Sequence, residues 1–198
     1  MSGVKHIAIL ASGSGTNAEN IAKYFKEHPD VKVRLIGTNK SDAGVLDRAK
    51  TLGITSFVFD RKAFYEDGSV LQKLIDNDID VVVLAGFLWL VPAQLISHYS
   101  GCVLNIHPAL LPDYGGKGMY GHHVHEAVLA SKEKISGITI HTVDEVYDRG
   151  KMIFQASCPV HDSDTADTLA KRIHSLEYRH FPIAIEQFIH TAVVFKTT

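Results

Sequence analysis

Residues 102–116 read CVLNIHPALLPDYGG, a short apolar strand that becomes polar at its end and continues into a loop rich in proline and glycine. Strand side chains alternate between the faces of a sheet, so Asn105 and His107 are predicted to share one face while Leu104 and Ile106 share the other. The proline that follows lacks a backbone N–H and ends the strand. Taken singly, each polar residue could be purely structural. Together, beside an irregular loop at a strand end, they indicate a functional site.

Outward from this stretch, apolar runs with strand character alternate with segments of helical periodicity. The predicted strands before it cover residues 6–11, 31–38, 56–60 and 81–85. The predicted helices cover residues 16–25, 43–52, 70–76 and 92–99. Thr16 and Glu19 fit a capping box at the start of the first helix, and Ser69 with Gln72 is expected to start the third. This order predicts an α/β fold with a doubly wound, mostly parallel, Rossmann-like sheet.

The pattern changes after the central loop. Residues 122–130 are predicted to form a helix, and residues 135–143 and 152–160 form two strands, antiparallel to the first set or to each other. Residues 166–189 predict a long amphipathic C-terminal helix that is interrupted near Pro182. No repeat or linker divides the 198 residues, so a single domain over residues 1–198 is predicted.

Composition excludes several classes of protein. Hydrophobic residues make up 45% and charged residues 21%, and the formal net charge is -2, which indicates neither disorder nor a nucleic-acid partner. Cys102 and Cys158 lie in apolar runs and are predicted to be reduced and buried. No targeting segment is visible, and the longest apolar run, residues 81–91, is too short to span a bilayer. We expect a cytoplasmic protein without a membrane partner, either a monomer or a homodimer.

The first turn between strand and helix, ASGSGTN at residues 11–17, is suited to an anion. Its glycines allow close backbone approach, and the free N–H groups of the helix start favour a phosphate. Gly13, Gly15 and Ala18 match a loose dinucleotide fingerprint, but residues 38–40, after the second strand, offer no acid for a ribose. The pattern favours a monophosphate group over a dinucleotide.

Two other polar clusters contain residue types that are common at functional sites. His122, His123 and His125 lack an H-E-x-x-H arrangement and a cysteine pair, so no metal site is predicted. Asp144 and Glu145 are typical of solvated acids in a turn. Asp148, in contrast, could orient a histidine or carry a proton if the fold delivers it to the edge that holds Asn105 and His107.

The chain resembles the phosphoribosylglycinamide formyltransferases, a group within the wider formyltransferase fold family. The resemblance is carried by GSGTN at residues 13–17, VVVLAGF at 81–87, NIHPALLP at 105–112, the H-x-V-x(4)-D-x-G pattern at 141–150, and Glu177 on the last helix. It implies transfer of the formyl group of the co-substrate 10-formyltetrahydrofolate to the amine of 5'-phosphoribosylglycinamide in purine (IMP) biosynthesis. Both substrates are small molecules.

The same resemblance implies roles for individual residues. Asn105, His107 and Asp148 would be catalytic. The acceptor substrate would be bound by Gly13, Ser14, Gly15, Thr16, Asn17 and Glu177. The folate would be bound by Leu88, Trp89, Leu90, Val91, Asn105, Val143, Asp144 and Asp148. Two features depart from the family pattern: Trp89 stands where some relatives have arginine, and the loop at residues 113–123 is longer than in many members.

This chemistry has a simple physical form. When an amine attacks a formyl carbon, negative charge develops on the formyl oxygen, which the amide of Asn105 and a protonated His107 could stabilise. Asp148 would favour the charged imidazole and accept the amine proton, directly or through water. No nucleophilic serine or cysteine is needed, so direct attack is the simplest expectation.

Other functions remain as alternatives. A formyltetrahydrofolate hydrolase would be expected to carry an N-terminal regulatory domain, for which residues 1–5 leave no room. A methionyl-tRNA formyltransferase would be expected to add a C-terminal domain and a basic surface. A sugar-nucleotide formyltransferase is harder to separate by sequence. A nucleotide-binding sensor without turnover would have no use for Asn105, His107 and Asp148 together.

Overall fold

The computed structural model describes residues 3–192 and is built around a seven-stranded sheet. The strands are β1 (Lys5–Leu10), β2 (Val31–Thr38), β3 (Thr55–Val58), β4 (Val81–Leu84), β5 (Val103–His107), β6 (Ile135–Thr142) and β7 (Met152–Pro159). Their order in the sheet is β3, β2, β1, β4, β5, β6, β7. The first five strands run parallel, β6 pairs antiparallel with β5, and β7 pairs antiparallel with β6. This confirms the predicted parallel sheet with an antiparallel extension.

Helices cover both faces of this sheet. They are α1 (Thr16–Tyr24), α2 (Val45–Leu52), α3 (Arg61–Tyr65), α4 (Ser69–Asp76), α5 (Ala93–His98), α6 (His122–Ala130) and α7 (Ala166–Ala192). One apolar core lies between the sheet and α1, α2, α6 and α7, and a second core lies between the other face and α3, α4 and α5. The sheet is therefore doubly wound, as the alternating pattern predicted.

The faces of β5 explain how its polar residues reach the edge of the sheet. Leu104 and Ile106 pack into the first core, whereas Val103 packs into the second. Asn105 and His107 follow Val103 on its face, as strand alternation predicted. The carboxyl ends of β1 and β4 lie beside this point, where the chain order in the sheet reverses, and α/β proteins commonly bind ligands there.

The start of α1 differs from the predicted capping box. Gly15, with a φ of 74°, takes the N-cap position, and no side chain caps the helix. Glu19 instead pairs with two basic side chains. An added Cβ on Gly15 would lie 2.4 Å from the Cγ2 atom of Val45 in α2. Glycine is therefore required at this position both by the left-handed turn and by the close approach of α1 and α2. A hydroxyl cap from Thr16 would meet neither requirement.

Local turn geometry also explains two differences near α3 and α4. The N-cap of α4 is Gly68, with a φ of 72°, while Ser69 is the first helical residue rather than the cap. The helix α3 was not predicted, because five residues are too few to show helical periodicity. It is started by Asp60, whose carboxylate accepts a 2.8 Å hydrogen bond from the N–H of Ala63.

The helix α7 runs without interruption over 27 residues, so the predicted break near Pro182 is wrong. Proline removes one helical hydrogen bond and disfavours the preceding turn. Here its neighbours Phe181, Ala184 and Ile185 are buried in the first core. Tertiary packing of this apolar face holds the helix together across the proline.

Two expectations from composition can be compared with the structure. Cys102 and Cys158 are free thiols with buried side chains, as predicted. Within residues 3–192, no helix has the length and apolar character needed to cross a membrane.

The contact between α1 and α2 provides a test of the fold. We expect Gly15→Ala to lower the free energy of unfolding by about 2–4 kcal/mol, because a methyl group there adds left-handed strain and overpacks Val45. Gly13→Ala is the matched control, since an added Cβ at Gly13 meets nothing within 4 Å. Urea denaturation of the two variants and the wild type checks this. Equal midpoints for all three would contradict the packing argument.

Candidate active site

A cavity of about 500 Å³ opens at the carboxyl ends of β1, β4 and β5. Its walls are formed by the loops that follow these strands, by the loop before β7 and by α7. Most residues expected at the site line it: Gly13, Ser14, Gly15, Thr16, Asn17, Leu88, Asn105, His107, Asp148 and Glu177. The fold thus gathers the expected catalytic and acceptor-binding residues around one space.

His107 lies at the inner end of this cavity, with only 3% of its surface exposed. Its Nε2 atom donates a 2.8 Å hydrogen bond to the backbone carbonyl of Tyr114. The other ring nitrogen, Nδ1, faces the Oδ2 atom of Asp148 at 3.6 Å. This distance is too long for a hydrogen bond but short enough for an electrostatic interaction. The same Oδ2 accepts a 2.8 Å hydrogen bond from the N–H of Gly116. The loop after β5 therefore orients both members of the pair.

His141 is part of this cluster, although it was not among the predicted site residues. It faces Asn105 across the antiparallel pair of β5 and β6. Its Nδ1 atom donates to the carbonyl of Thr142 at 2.7 Å, so its Nε2 atom accepts the 3.1 Å hydrogen bond from the Asn105 amide. The Oδ1 atom of Asp148 lies 3.6 Å from the same Nε2 atom. His141 stands first in the pattern at residues 141–150, and that spacing was the signal that could have identified it.

The pKa values in the cluster follow from burial and charge. Burial lowers the pKa of His107, and this effect outweighs the opposing charge of Asp148. Asp148 does favour the charged form of His107, as expected. The net shift of the His107 pKa is nevertheless downward. Burial alone would raise the pKa of Asp148, yet His141 and His107, when their rings are protonated, and the Gly116 N–H together hold that pKa below its usual range. The free site therefore favours a carboxylate beside a neutral imidazole.

The loop that carries Asp148 has an uncommon backbone. Asp148 itself has a φ of 58°, a left-handed conformation that few residues other than glycine adopt. Two residues later, an added Cβ on Gly150 would lie 1.6 Å from the carbonyl oxygen of Thr142. At Gly150 the loop passes so close to β6 that only a residue without a side chain fits. The left-handed backbone of Asp148 and the glycine two residues later therefore belong to the same turn.

One end of the cavity joins the first and last helices of the chain. Asn17, in the first turn of α1, donates a 2.8 Å hydrogen bond from its amide to the Oε2 atom of Glu177 in α7. Glu177 is only 5% exposed, and burial raises its pKa. The Oδ1 atom of Asn17 is buried without a partner among residues 3–192. A buried carboxylate and an unsatisfied amide oxygen together call for hydrogen-bond donors from a ligand.

The residues expected to bind folate are divided between two adjoining spaces. Leu88 lines the main cavity, and its N–H donates to the hydroxyl of Ser12. A smaller depression next to it is lined by Trp89, Leu90, Val91, Val143 and Asp144, together with Asn105 and Asp148. Asn105 and Asp148 line both spaces, so a molecule in the depression would also reach the cluster that contains His107 and Asp148. Asp144 accepts a hydrogen bond from the N–H of Val146, as expected for a turn acid.

Trp89 is held by an aromatic cluster at the rim of that depression. Its ring lies 5.9 Å from the rings of Phe64 and Tyr65, measured between centroids. The guanidinium of Arg61 stands over the rings of both Tyr65 and Trp89, at 5.1 and 5.2 Å. The tryptophan that departs from the family pattern therefore packs against a neighbouring arginine through a cation–π contact.

The three histidines of α6 do not converge on a common point. His122 pairs with Asp167, and His123 pairs with Glu126. Within the described residues, the three side chains that approach one another as potential metal ligands are His28, Glu186 and His190, and none of them lines the cavity.

Comparison with known proteins places this site in context. The formyl transferase family profile matches residues 5–185. The chain is 34% identical to phosphoribosylglycinamide formyltransferase of Bacillus subtilis over 94% of its own length and 95% of that protein. It is 38% identical to the chloroplastic phosphoribosylglycinamide formyltransferase of Vigna unguiculata over 97% of its own length, and it spans 63% of that protein.

Solved structures agree with the sequence matches. The crystal structure of phosphoribosylglycinamide formyltransferase from Bacillus halodurans superposes with a TM-score of 0.85 at 37% identity, covering 95% of this chain and 97% of that one. The corresponding enzyme from Streptococcus pneumoniae superposes with a TM-score of 0.83 at 36% identity, covering 94% and 99%. Fold and sequence agree over nearly the whole chain, which therefore belongs to the formyl transferase family.

Proposed function

We propose that this protein transfers the formyl group of 10-formyltetrahydrofolate to the amine of 5'-phosphoribosylglycinamide, a step of purine (IMP) biosynthesis. The observation that carries the proposal is that Asn105, His107 and Asp148 lie at one end of a cavity whose other end is an anion-binding turn. Proteins that are similar to the chain in sequence and in structure carry the name phosphoribosylglycinamide formyltransferase.

The acceptor fits the cavity from its phosphate to its amine. The phosphate lies at residues 13–17, where the N-terminus of α1 offers backbone N–H groups and a favourable dipole. The ribose hydroxyls donate to Glu177, which supplies the acceptor oxygens that buried hydroxyl groups need. The glycine amine then points toward Asn105 and His107. The pterin of the folate occupies the depression lined by residues 89–91 and 143–144 and brings the formyl group to the same place.

Formyl transfer then proceeds by direct attack. The amine nitrogen forms a bond to the formyl carbon, and negative charge develops on the formyl oxygen. One N–H of the Asn105 amide is engaged by His141, which leaves the second to stabilise that oxygen. His107 can act only through Nδ1, because its Nε2 proton is held by Tyr114.

A proton must leave the amine as the new bond forms and must reach the folate nitrogen as the old bond breaks. Asp148 faces His107 and retains its negative charge, since its pKa is held low. It receives the amine proton, directly or through water, and passes that proton to the folate nitrogen as the bond between the formyl carbon and this nitrogen breaks. When His107 takes up a proton from water at Nδ1, the carboxylate stabilises the charged ring, which can then donate to the formyl oxygen.

An acceptor comparison tests the proposed activity. The protein is incubated with 10-formyltetrahydrofolate and one of three acceptors: glycinamide ribonucleotide, a 4-amino-sugar nucleotide, or water alone. We expect rapid formation of tetrahydrofolate only with glycinamide ribonucleotide. Faster turnover with the sugar nucleotide would replace the proposal with a sugar-nucleotide formyltransferase, and equal turnover with water would indicate a hydrolase.

The pairing of His107 and Asp148 predicts a non-additive loss of activity. Asp148→Asn keeps the shape of the side chain but removes its charge and its capacity to accept a proton. We expect kcat to fall by about 10²- to 10⁴-fold, with much smaller changes in substrate binding. The double variant with His107→Ala should be barely slower than the slower single variant. Single-turnover formyl transfer by the three variants checks this, and fully multiplicative losses would show that the residues act independently.

The role of Glu177 can be separated from catalysis. Glu177→Gln retains an oxygen that can accept from Asn17 but loses the charge and half of its acceptors. We expect a higher KM for glycinamide ribonucleotide, a smaller change in kcat and an unchanged KM for the folate, as for loss of uniform binding. Steady-state kinetics with each substrate varied in turn provides the measurement. A KM for the acceptor equal to that of the wild type would refute the assignment.

A further inference from the structure

His125 is a polar side chain in the cavity wall that the proposed reaction does not use. It lies in the first half of α6, and only 2% of its surface is exposed. Its Nδ1 atom is buried and has no hydrogen-bond partner within residues 3–192. Leaving such an atom unsatisfied costs about 1–3 kcal/mol, whereas an apolar ring of the same shape would carry no such cost. A histidine here therefore indicates a polar partner that comes from outside the chain.

The position of His125 defines which part of a ligand it can meet. It lines the same cavity as Asn17, His107 and Glu177. Its helix α6 follows β5, which carries His107, and packs against α7, which carries Glu177. His125 thus borders the middle of the cavity, between the proposed ribose site and the catalytic cluster.

The charge state of His125 limits the chemistry of that partner. Burial, followed by the nearby histidines His174, His122 and His107, lowers its pKa to about 4. At neutral pH the ring is therefore uncharged, with one N–H donor and one nitrogen acceptor. Such a ring suits a neutral polar group better than a phosphate, which the N-terminus of α1 already serves.

We propose that His125 is a specificity-determining residue that hydrogen-bonds the carboxamide joining the ribose of the acceptor to its glycine. This inference rests on the proposed function. Of the polar groups in the acceptor, the carboxamide is the neutral one that falls between the ribose and the amine, and it offers both a carbonyl acceptor and an N–H donor. The contact orients the amine toward the formyl carbon and distinguishes the glycinamide nucleotide from other ribose phosphates.

A comparison of two ligands tests the contact. Ribose 5-phosphate contains the phosphate and the sugar of the acceptor but no carboxamide. We expect His125→Phe to weaken the binding of glycinamide ribonucleotide by about tenfold or more, and that of ribose 5-phosphate by less than about twofold, since only the former loses a buried hydrogen bond. Isothermal titration calorimetry of both ligands provides the dissociation constants. His123→Phe, at an exposed position of the same helix, is the matched control and should bind both ligands as the wild type does.

The outcomes separate this contact from a structural role and from the proposed function. Equal weakening of both ligands, or no weakening of either, would overturn the inference. If His125→Phe does not fold, His125→Gln and His125→Leu replace it, and the glutamine variant must bind glycinamide ribonucleotide several times more tightly than the leucine variant, about the effect of one hydrogen bond. A wild type that binds glycinamide ribonucleotide but does not formylate it would refute the proposed function and leave the His125 contact standing.

Discussion

The antiparallel pairing of β5 with β6 is the interaction on which the site depends. It sets Asn105 opposite His141, and the chain leaves β6 only a few residues before Asp148. Because strand side chains alternate with a period of two, a slip of one residue in this pairing would turn the histidine away from the amide. The parallel strand β4 provides a fully buried support for this pair, since it pairs with β5 up to Asn105.

Buried polar groups surround the reacting centre, and their mutual arrangement limits the cost of burying them. His107, His141 and Asp148 bring two imidazoles and one carboxylate into a largely dehydrated space. Backbone groups occupy the outer ring nitrogens of both histidines, so their tautomers are set by the main chain. Such fixed dipoles do not need to reorganise when charge develops, which is the main advantage of a protein site over water.

Much of this architecture could be predicted from the sequence, because it depends on patterns of neighbouring residues. The apolar runs and their alternation predicted the strands, and the face shared by Asn105 and His107 followed from the same rule. The structure differs from the prediction at positions where contacts between distant elements determine the local conformation. Gly15 starts α1 because α2 approaches it closely, and Pro182 remains helical because its neighbours are buried. Neither contact leaves a signal in the adjacent residues.

The role of His141 shows another limit of sequence reasoning. Its position in a spaced pattern was visible, but its hydrogen bond to Asn105, 36 positions away in the chain, depends on the register of two strands. The same holds for His125, whose sequence context suggested a helix and a cluster of histidines without the spacing of a metal site. Burial and an unsatisfied nitrogen, which single out this residue, exist only in the folded molecule.

The hydrogen bond between Asn17 and Glu177 joins residues separated by 160 positions. Closing so long a loop carries an entropic cost before any local contact compensates for it, so such contacts tend to form late in folding. During synthesis on the ribosome, the acceptor end of the cavity cannot exist until α7 has been released and has docked. A nascent or partly folded chain could therefore have β5 in place while the nucleotide site that we propose is still incomplete. The candidate site would be completed only when α7 docks.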